Sequence, residues 1–184
     1  MRSLLLMLMI FVLQVAKAHA LTPGLFPSLS GNDLNNKPWS APSGFPAERT
    51  LVVIGFEEEQ QIEIDSWFQG MNVGNPSSQI KWIEMPLINN PGVLMRWFIN
   101  TGMKAGIRSK AVRSHVWTAY TDKRKFMQAC GMPSTKDVYA LVVDRAGRIL
   151  AMESGEYTKA GGDRLLQYLN PPQIPIKARS NRLP

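Results

Sequence analysis

Apolar and polar positions along this chain follow two alternating periods. Leu51-Val52-Val53-Ile54-Gly55-Phe56 is a continuous apolar run, the pattern of a strand covered on both faces. Ile64, Trp67, Phe68 and Met71 follow at i, i+3, i+4 and i+7, which places them on one face of a helix. Gly74-Asn75-Pro76 breaks that helix. Ile80 to Met85 alternates as a strand, and Leu94, Trp97 and Phe98 return to helical spacing after Pro91-Gly92. Val116 to Tyr120 reads as a short strand; Phe126, Ala129 and Cys130 form a short helical face closed by Gly131. Val138 to Val143 is a second continuous apolar run. Asp144-Arg145-Ala146-Gly147-Arg148 then reads as a tight hairpin, with Gly147 free to take a positive φ. Ile149 to Ser154 returns antiparallel, and Leu165, Tyr168 and Leu169 close the pattern with a helix.

The flanks behave differently. Leu21 to Thr50 carries five prolines and three glycines, which rules out long helices and central strands. Residues 21–49 are therefore expected to be an extended, Pro-rich lead-in with room for a short hairpin, pinned by Trp39 and Phe45. Residues 50–169 form the predicted domain, and the Pro- and Arg-containing residues 170–184 a flexible basic tail. Residues 1–20 read as a secretory signal: Arg2, an apolar run from Leu4 to Val15, and Ala18-His19-Ala20 as a cleavage site. The apolar run falls short of the about 20 residues that span a bilayer, although an uncleaved signal would act as an anchor. Export is the expectation, to the periplasm or an equivalent compartment.

The element order is βαβ, αβα, ββα. Strand–helix alternation implies an α/β protein whose central sheet is covered by helices on both faces, and the late hairpin makes that sheet mixed. This order is that of a thioredoxin-like fold with an inserted strand–helix element. A flavodoxin-like open sheet would separate its last two strands by a helix, and the hairpin at Asp144–Arg148 decides against it.

Composition narrows the chemistry. One Cys among 184 residues excludes an internal disulfide framework, a C-x-x-C redox pair and a multi-Cys zinc site. Two His, one of them in the predicted leader, exclude a His-rich metal centre. No cofactor and no metal is expected. Charge is unevenly placed: Leu21 to Asn90 holds three Lys/Arg against eight Asp/Glu, whereas Arg96 to Lys125 holds eight against one. A positive face suits anionic lipid or an acidic protein; nucleic acid is excluded as a partner by the export signal.

The stretch Tyr139 to Leu150, an apolar strand followed by Asp144-x-x-Gly147-x-Ile149, resembles the hairpin of exported thioredoxin-like and peroxiredoxin-like proteins. Short stretches over most of Leu34 to Leu169 are similar to the mitochondrial ATP synthase assembly-factor family with a thioredoxin-like domain, and to its exported bacterial relatives. They are Leu51 to Phe56, Asp65-Ser66-Trp67, Gly102 to Ile107, Arg113, Tyr120 to Lys123, Phe126 and Tyr139 to Leu150. The resemblance implies a role in assembling a membrane complex without thiol redox chemistry. The chain departs from redox thioredoxins at both halves of their site. Phe56-Glu57-Glu58-Glu59-Gln60 stands where C-x-x-C would open the helix after the first core strand, and Asp137-Val138 stands where a proline would precede the late apolar strand.

Several candidates compete with bland explanations. Glu57, Glu58 and Glu59 suit a helix N-terminus through its dipole better than a metal site. Cys130, at the C-terminal end of a short helix, lacks the electropositive setting of a reactive thiol; it is kept as the centre of an alternative function, a one-Cys thiol peroxidase or reductase. His115 could pair with Ser114 or Asp122, but no strained nucleophile turn is present. Trp67, Trp82, Trp97 and Trp117 are expected in the core. Lys104, Arg108, Lys110 and Arg113, around a glycine-flanked loop from Gly102 to Arg108, and Trp39 in the lead-in are the candidate partner-binding residues. The leading expectation is an exported, redox-inactive, non-catalytic binding or assembly factor for an envelope or membrane protein complex. Its partners would be a protein client, at the membrane or not, and an anionic lipid surface.

Overall fold

The computed structural model describes residues 24–170. The predicted leader and the basic tail beyond Asn170 lie outside them. The elements are β1 (Leu29–Asn32), β2 (Pro38–Ala41), β3 (Arg49–Gly55), α1 (Gln61–Gly70), β4 (Trp82–Ile88), α2 (Val93–Gly106) and α3 (Lys110–Arg113). They continue with β5 (Ala119–Tyr120), α4 (Lys123–Cys130), β6 (Tyr139–Asp144), β7 (Ile149–Ser154) and α5 (Lys159–Leu169). Every strand and helix expected between residues 50 and 169 is present. One mixed sheet runs in the order β5-β4-β3-β6-β7. Strands β3, β4 and β5 are parallel, and β6 and β7 are antiparallel to their neighbours.

The two continuous apolar runs, β3 and β6, lie side by side at the centre, where both faces of each strand are buried. Because side chains alternate across a strand, β3 feeds two cores. Leu51 and Val53 pack under Ile64 and Trp67 of α1 and Leu165 of α5. Val52 and Ile54 pack with Phe126 and Cys130 of α4 on the other face. Tyr157 sits edge-on to Trp67, ring centroids 5.4 Å apart, in a slot opened by two glycines of the flanking helices. A Cβ on Gly70 or Gly162 would lie 2.4 or 2.5 Å from its ring.

The turn between β6 and β7 is built by Asp144. Its carboxylate is buried and accepts from Arg148 N (2.9 Å) and Arg148 Nε (2.6 Å). Gly147 takes φ +84 there, a conformation costly for other residues. Its carbonyl accepts from the N–H of Phe26 at 2.8 Å, tying the lead-in to the hairpin.

Two expectations need correction. First, Trp39 does not sit on a contact surface: β1 and β2 form the expected hairpin, and Phe26, Trp39 and Phe45 pin it into the core on the α4 face. Trp39 is only 7% exposed and stacks on Trp117 at 5.1 Å. It therefore offers no contact surface, because an indole of that size gains more by burial than by exposure. Second, Gly102 to Gly106 continues α2 instead of forming a flexible loop. This helix buries no side chain and rests on the body through a few side-chain contacts. Beneath it lie Thr118, just before β5, and Tyr120 within it, polar groups that meet the inward stripe of the helix. Tyr120 Oη donates to Asn100 Oδ1 at 2.8 Å, Arg96 lies over the Tyr120 ring, and Thr118 Oγ1 donates to Met103 Sδ at 3.5 Å. Arg96, Asn100 and Met103 thus face inward, and the apolar stripe with Trp97 faces out rather than into the core.

Candidate functional site

The end of β3 carries the chain into the segment where the sequence lacks its thiols. Glu57 is extended and caps the short 3₁₀ turn Glu58–Gln60 that opens α1. The Gln60 side chain folds back so that its Oε1 accepts from Phe56 N (2.7 Å) and Glu57 N (3.2 Å), while its Nε2 donates to the Thr135 carbonyl (2.9 Å). Lys123 at the start of α4 donates to the Phe56 carbonyl (3.0 Å) and to Glu57 Oε1 (2.9 Å). The segments at Phe56, Lys123 and Thr135 are thus held together by an amide and an ion pair. The glutamates serve the turn and the Lys123 contact. Among the described residues no cluster of His, Cys, Asp or Glu could hold a metal.

Beside this network, at the carboxyl ends of the parallel strands, opens a cleft of about 810 Å³. This is where open α/β sheets bind ligands. Met127 and Met132 give it an apolar floor; Asn89, Arg124, Gln128 and Pro133 are on its rim. Asp122 is occupied in capping α4, accepting from Lys125 N at 3.1 Å, and Asn89 Oδ1 accepts from Lys123 N at 3.0 Å. The free charge on the rim is the exposed guanidinium of Arg124. The cleft lining holds no cysteine: Cys130, the last residue of α4, is fully buried beneath the lead-in, and burial pushes its thiol up to about 12. At neutral pH it carries essentially no thiolate.

His115 builds no triad. Its Nδ1 lies 3.0 Å from the Trp82 carbonyl and its ring stacks on Trp82 at 4.5 Å. Ser114 Oγ donates to the Ala111 carbonyl. The basic candidates divide. Arg113 donates to the carbonyls of Ile107 and Lys104, both at 2.6 Å, so it caps the end of α2 and is not a docking residue. Lys104, Arg108 and Lys110 form no ion pair among the described residues, and Arg108 and Lys110 are exposed. Sequence reasoning missed Gln60, which reads as one more polar residue after three glutamates. It also missed Glu84, a carboxylate buried in mid-strand on β4, although an acid inside an apolar strand pattern is the signal for one.

No protein-family model matches the chain, and no curated protein does. Solved structures do. The thioredoxin domain of a thiol-disulfide oxidoreductase from Bacteroides vulgatus matches at TM-score 0.51 and 15% identity, covering 82% of this chain and 99% of that one. The exposed lipoprotein thioredoxin Etrx1 from Streptococcus pneumoniae matches at 0.52 and 12%, covering 78% and 100%. Yeast Sco1 with copper bound matches at 0.51 and 12%, covering 86% and 99%. The fold is thioredoxin-like. Identities this low carry the fold alone. Within the thioredoxin-like frame, the lone Cys130 lies at the far end of α4 and not at the opening of α1.

Proposed function

We propose that the protein is an exported, redox-inactive thioredoxin-like binding or assembly factor that holds a segment of a client protein in the cleft at the strand ends. One observation carries this: the segment after β3, where the sequence reading puts the C-x-x-C of redox thioredoxins, is held by the Gln60 and Glu57–Lys123 network, beside an open cleft whose lining holds no cysteine. The resemblance to the ATP synthase assembly-factor family supports an assembly role, and the leader-like residues 1–20 support export. The Met127 and Met132 floor suits a client of loosely defined apolar sequence, because thioether side chains adapt to irregular surfaces. The Arg124 guanidinium selects an acidic group at its edge.

The test is a photo-crosslinking residue at position 128, on the cleft rim, in cells that export the protein. A discrete adduct that Arg124→Glu abolishes, with Cys130→Ser fully supporting the cellular function, is the expected result. Loss of function in Cys130→Ser at unchanged thermal stability would restore the thiol peroxidase or reductase alternative. N-terminal sequencing of the exported chain tests the cleavage after Ala20.

A further inference from the structure

We propose that α2 is an interfacial helix that docks the protein on an anionic phospholipid bilayer. Its apolar stripe would lie among the headgroups, and Lys104, Arg108 and Lys110 would rest against the phosphates. This surface is separate from the strand-end cleft and does not depend on the client-binding reading.

The helix is turned inside out relative to an ordinary crossover helix. Its inward stripe is Arg96, Asn100 and Met103, held to Thr118 and Tyr120. Its outward side carries Val93, Leu94, Trp97 and Phe98. Leu94, Trp97 and Phe98 are 71%, 59% and 57% exposed, and the Trp97 and Phe98 rings meet edge-on at 5.0 Å. A contiguous exposed apolar group of this size marks an interaction surface.

Charge chooses the occupant. Between Glu84 and Asp122 the chain holds five Lys/Arg and no Asp or Glu. Arg96 and Arg113 are used internally, the first on Asn90 and Tyr120 and the second on the end of α2. Lys104, Arg108 and Lys110 remain for an external anion. A Trp, Phe and Leu stripe bordered by cations that form no ion pair among the described residues is the composition of helices that lie in a bilayer interface. Trp in particular settles at headgroup depth. The stripe from Val93 to Ile99 is about 10 Å long at 1.5 Å per residue, which suits a shallow in-plane contact. A protein groove would need its own acidic rim to match these cations, whereas an anionic leaflet supplies that charge everywhere.

The experiment uses the full chain and vesicles whose acyl chains carry bromine, which quenches indoles that enter the bilayer. Trp39, Trp67 and Trp117 are buried and Trp82 is half-buried, and the leader has no Trp, so Trp97 reports on α2. Vesicles of phosphatidylcholine alone are compared with an equal mixture with phosphatidylglycerol. Quenching is expected on the mixture at low salt, and it should vanish in Trp97→Phe and in Leu94→Glu/Phe98→Glu. Each cation at an anionic surface raises partitioning about fivefold. Lys104→Glu/Arg108→Glu should therefore weaken binding by at least about 25-fold and shrink its salt dependence. Absent quenching, equal quenching on phosphatidylcholine alone, or either double variant behaving like the parent would overturn the proposal. So would a dimer in sedimentation that Leu94→Glu/Phe98→Glu dissolves, since a second copy would then own this face. The charge variant touches no buried side chain, so it stands as the readout if the apolar variant fails to fold. Vesicles contain no protein client, so this result is independent of the cleft.

Discussion

Glu84 should make the folded protein less stable as pH rises through the mildly acidic range. The residue sits in mid-β4 and is 7% exposed. Its side chain points to the α1 face, since it alternates with Ile83 and Met85 of the opposite core. Burial, with a smaller push from the charge of Asp65, raises its carboxyl from the ordinary 4.5 to about 7. Below about 4.5 the carboxyl holds its proton both folded and unfolded, and Glu84 costs nothing. Between the two values the unfolded chain is ionised while the folded one keeps the proton. Folding then takes up a proton, and stability falls by about 1.4 kcal/mol per pH unit. The window from 4.5 to about 7 accumulates roughly 3 kcal/mol, and above it the penalty is constant. Glu84→Gln removes the titration and keeps the shape. Urea unfolding of both proteins between pH 4.5 and 8.5 checks this, taken as the difference between them so that all other groups cancel. The variant should gain on the parent by roughly 3 kcal/mol across that range. A difference that does not change with pH, or one that shrinks as pH rises, would refute the buried, protonated carboxyl.

Cys130 should resist alkylation in the native protein at neutral pH and react fully once the chain is unfolded; mass spectrometry with and without denaturant reads both. Asp144→Ala should lose roughly 1–3 kcal/mol, because it removes the carboxylate that accepts from the Arg148 backbone and side chain and shapes the hairpin; chemical denaturation measures it. Gly162→Ala, which in an open helix would gain about 1 kcal/mol, should destabilise, since its Cβ would lie 2.5 Å from the Tyr157 ring. Gly102→Ala, with nothing near its Cβ, should show the ordinary gain and serve as the control in thermal melts.

The central sheet was readable because its two middle strands are covered on both faces, which leaves unbroken apolar runs that admit few other structures. The Asp144–Arg148 hairpin was equally plain, since its turn depends on local chemistry alone. What escaped was orientation. Leu94, Trp97 and Phe98 announce a helix, and the structure has one, but periodicity shows only that a face is apolar and not which way it turns. That is decided by Thr118 and Tyr120, just before and within a strand some twenty residues later. Trp39 was legible as an anchor of the lead-in but not as a side chain too buried to meet a partner, because the ring it stacks on, Trp117, lies 78 positions away. At the candidate site the missing thiols were legible as absences. The Gln60 amide that bridges to Thr135 was not, because it joins segments 75 residues apart.

The lead-in has a consequence for the order in which the molecule can assemble. Phe26, Trp39 and Phe45 leave the ribosome first, yet the surfaces that receive them arrive last. Trp117 stacks on Trp39, Phe126 meets Phe26 edge-on at 5.3 Å, and Gly147 accepts the Phe26 N–H. Contacts that close loops of about a hundred residues slow folding, because the entropy of closure is spent before the contacts form. Three large apolar side chains must therefore remain uncovered while most of the chain is made, which is the interval in which a nascent protein aggregates or is caught by a chaperone.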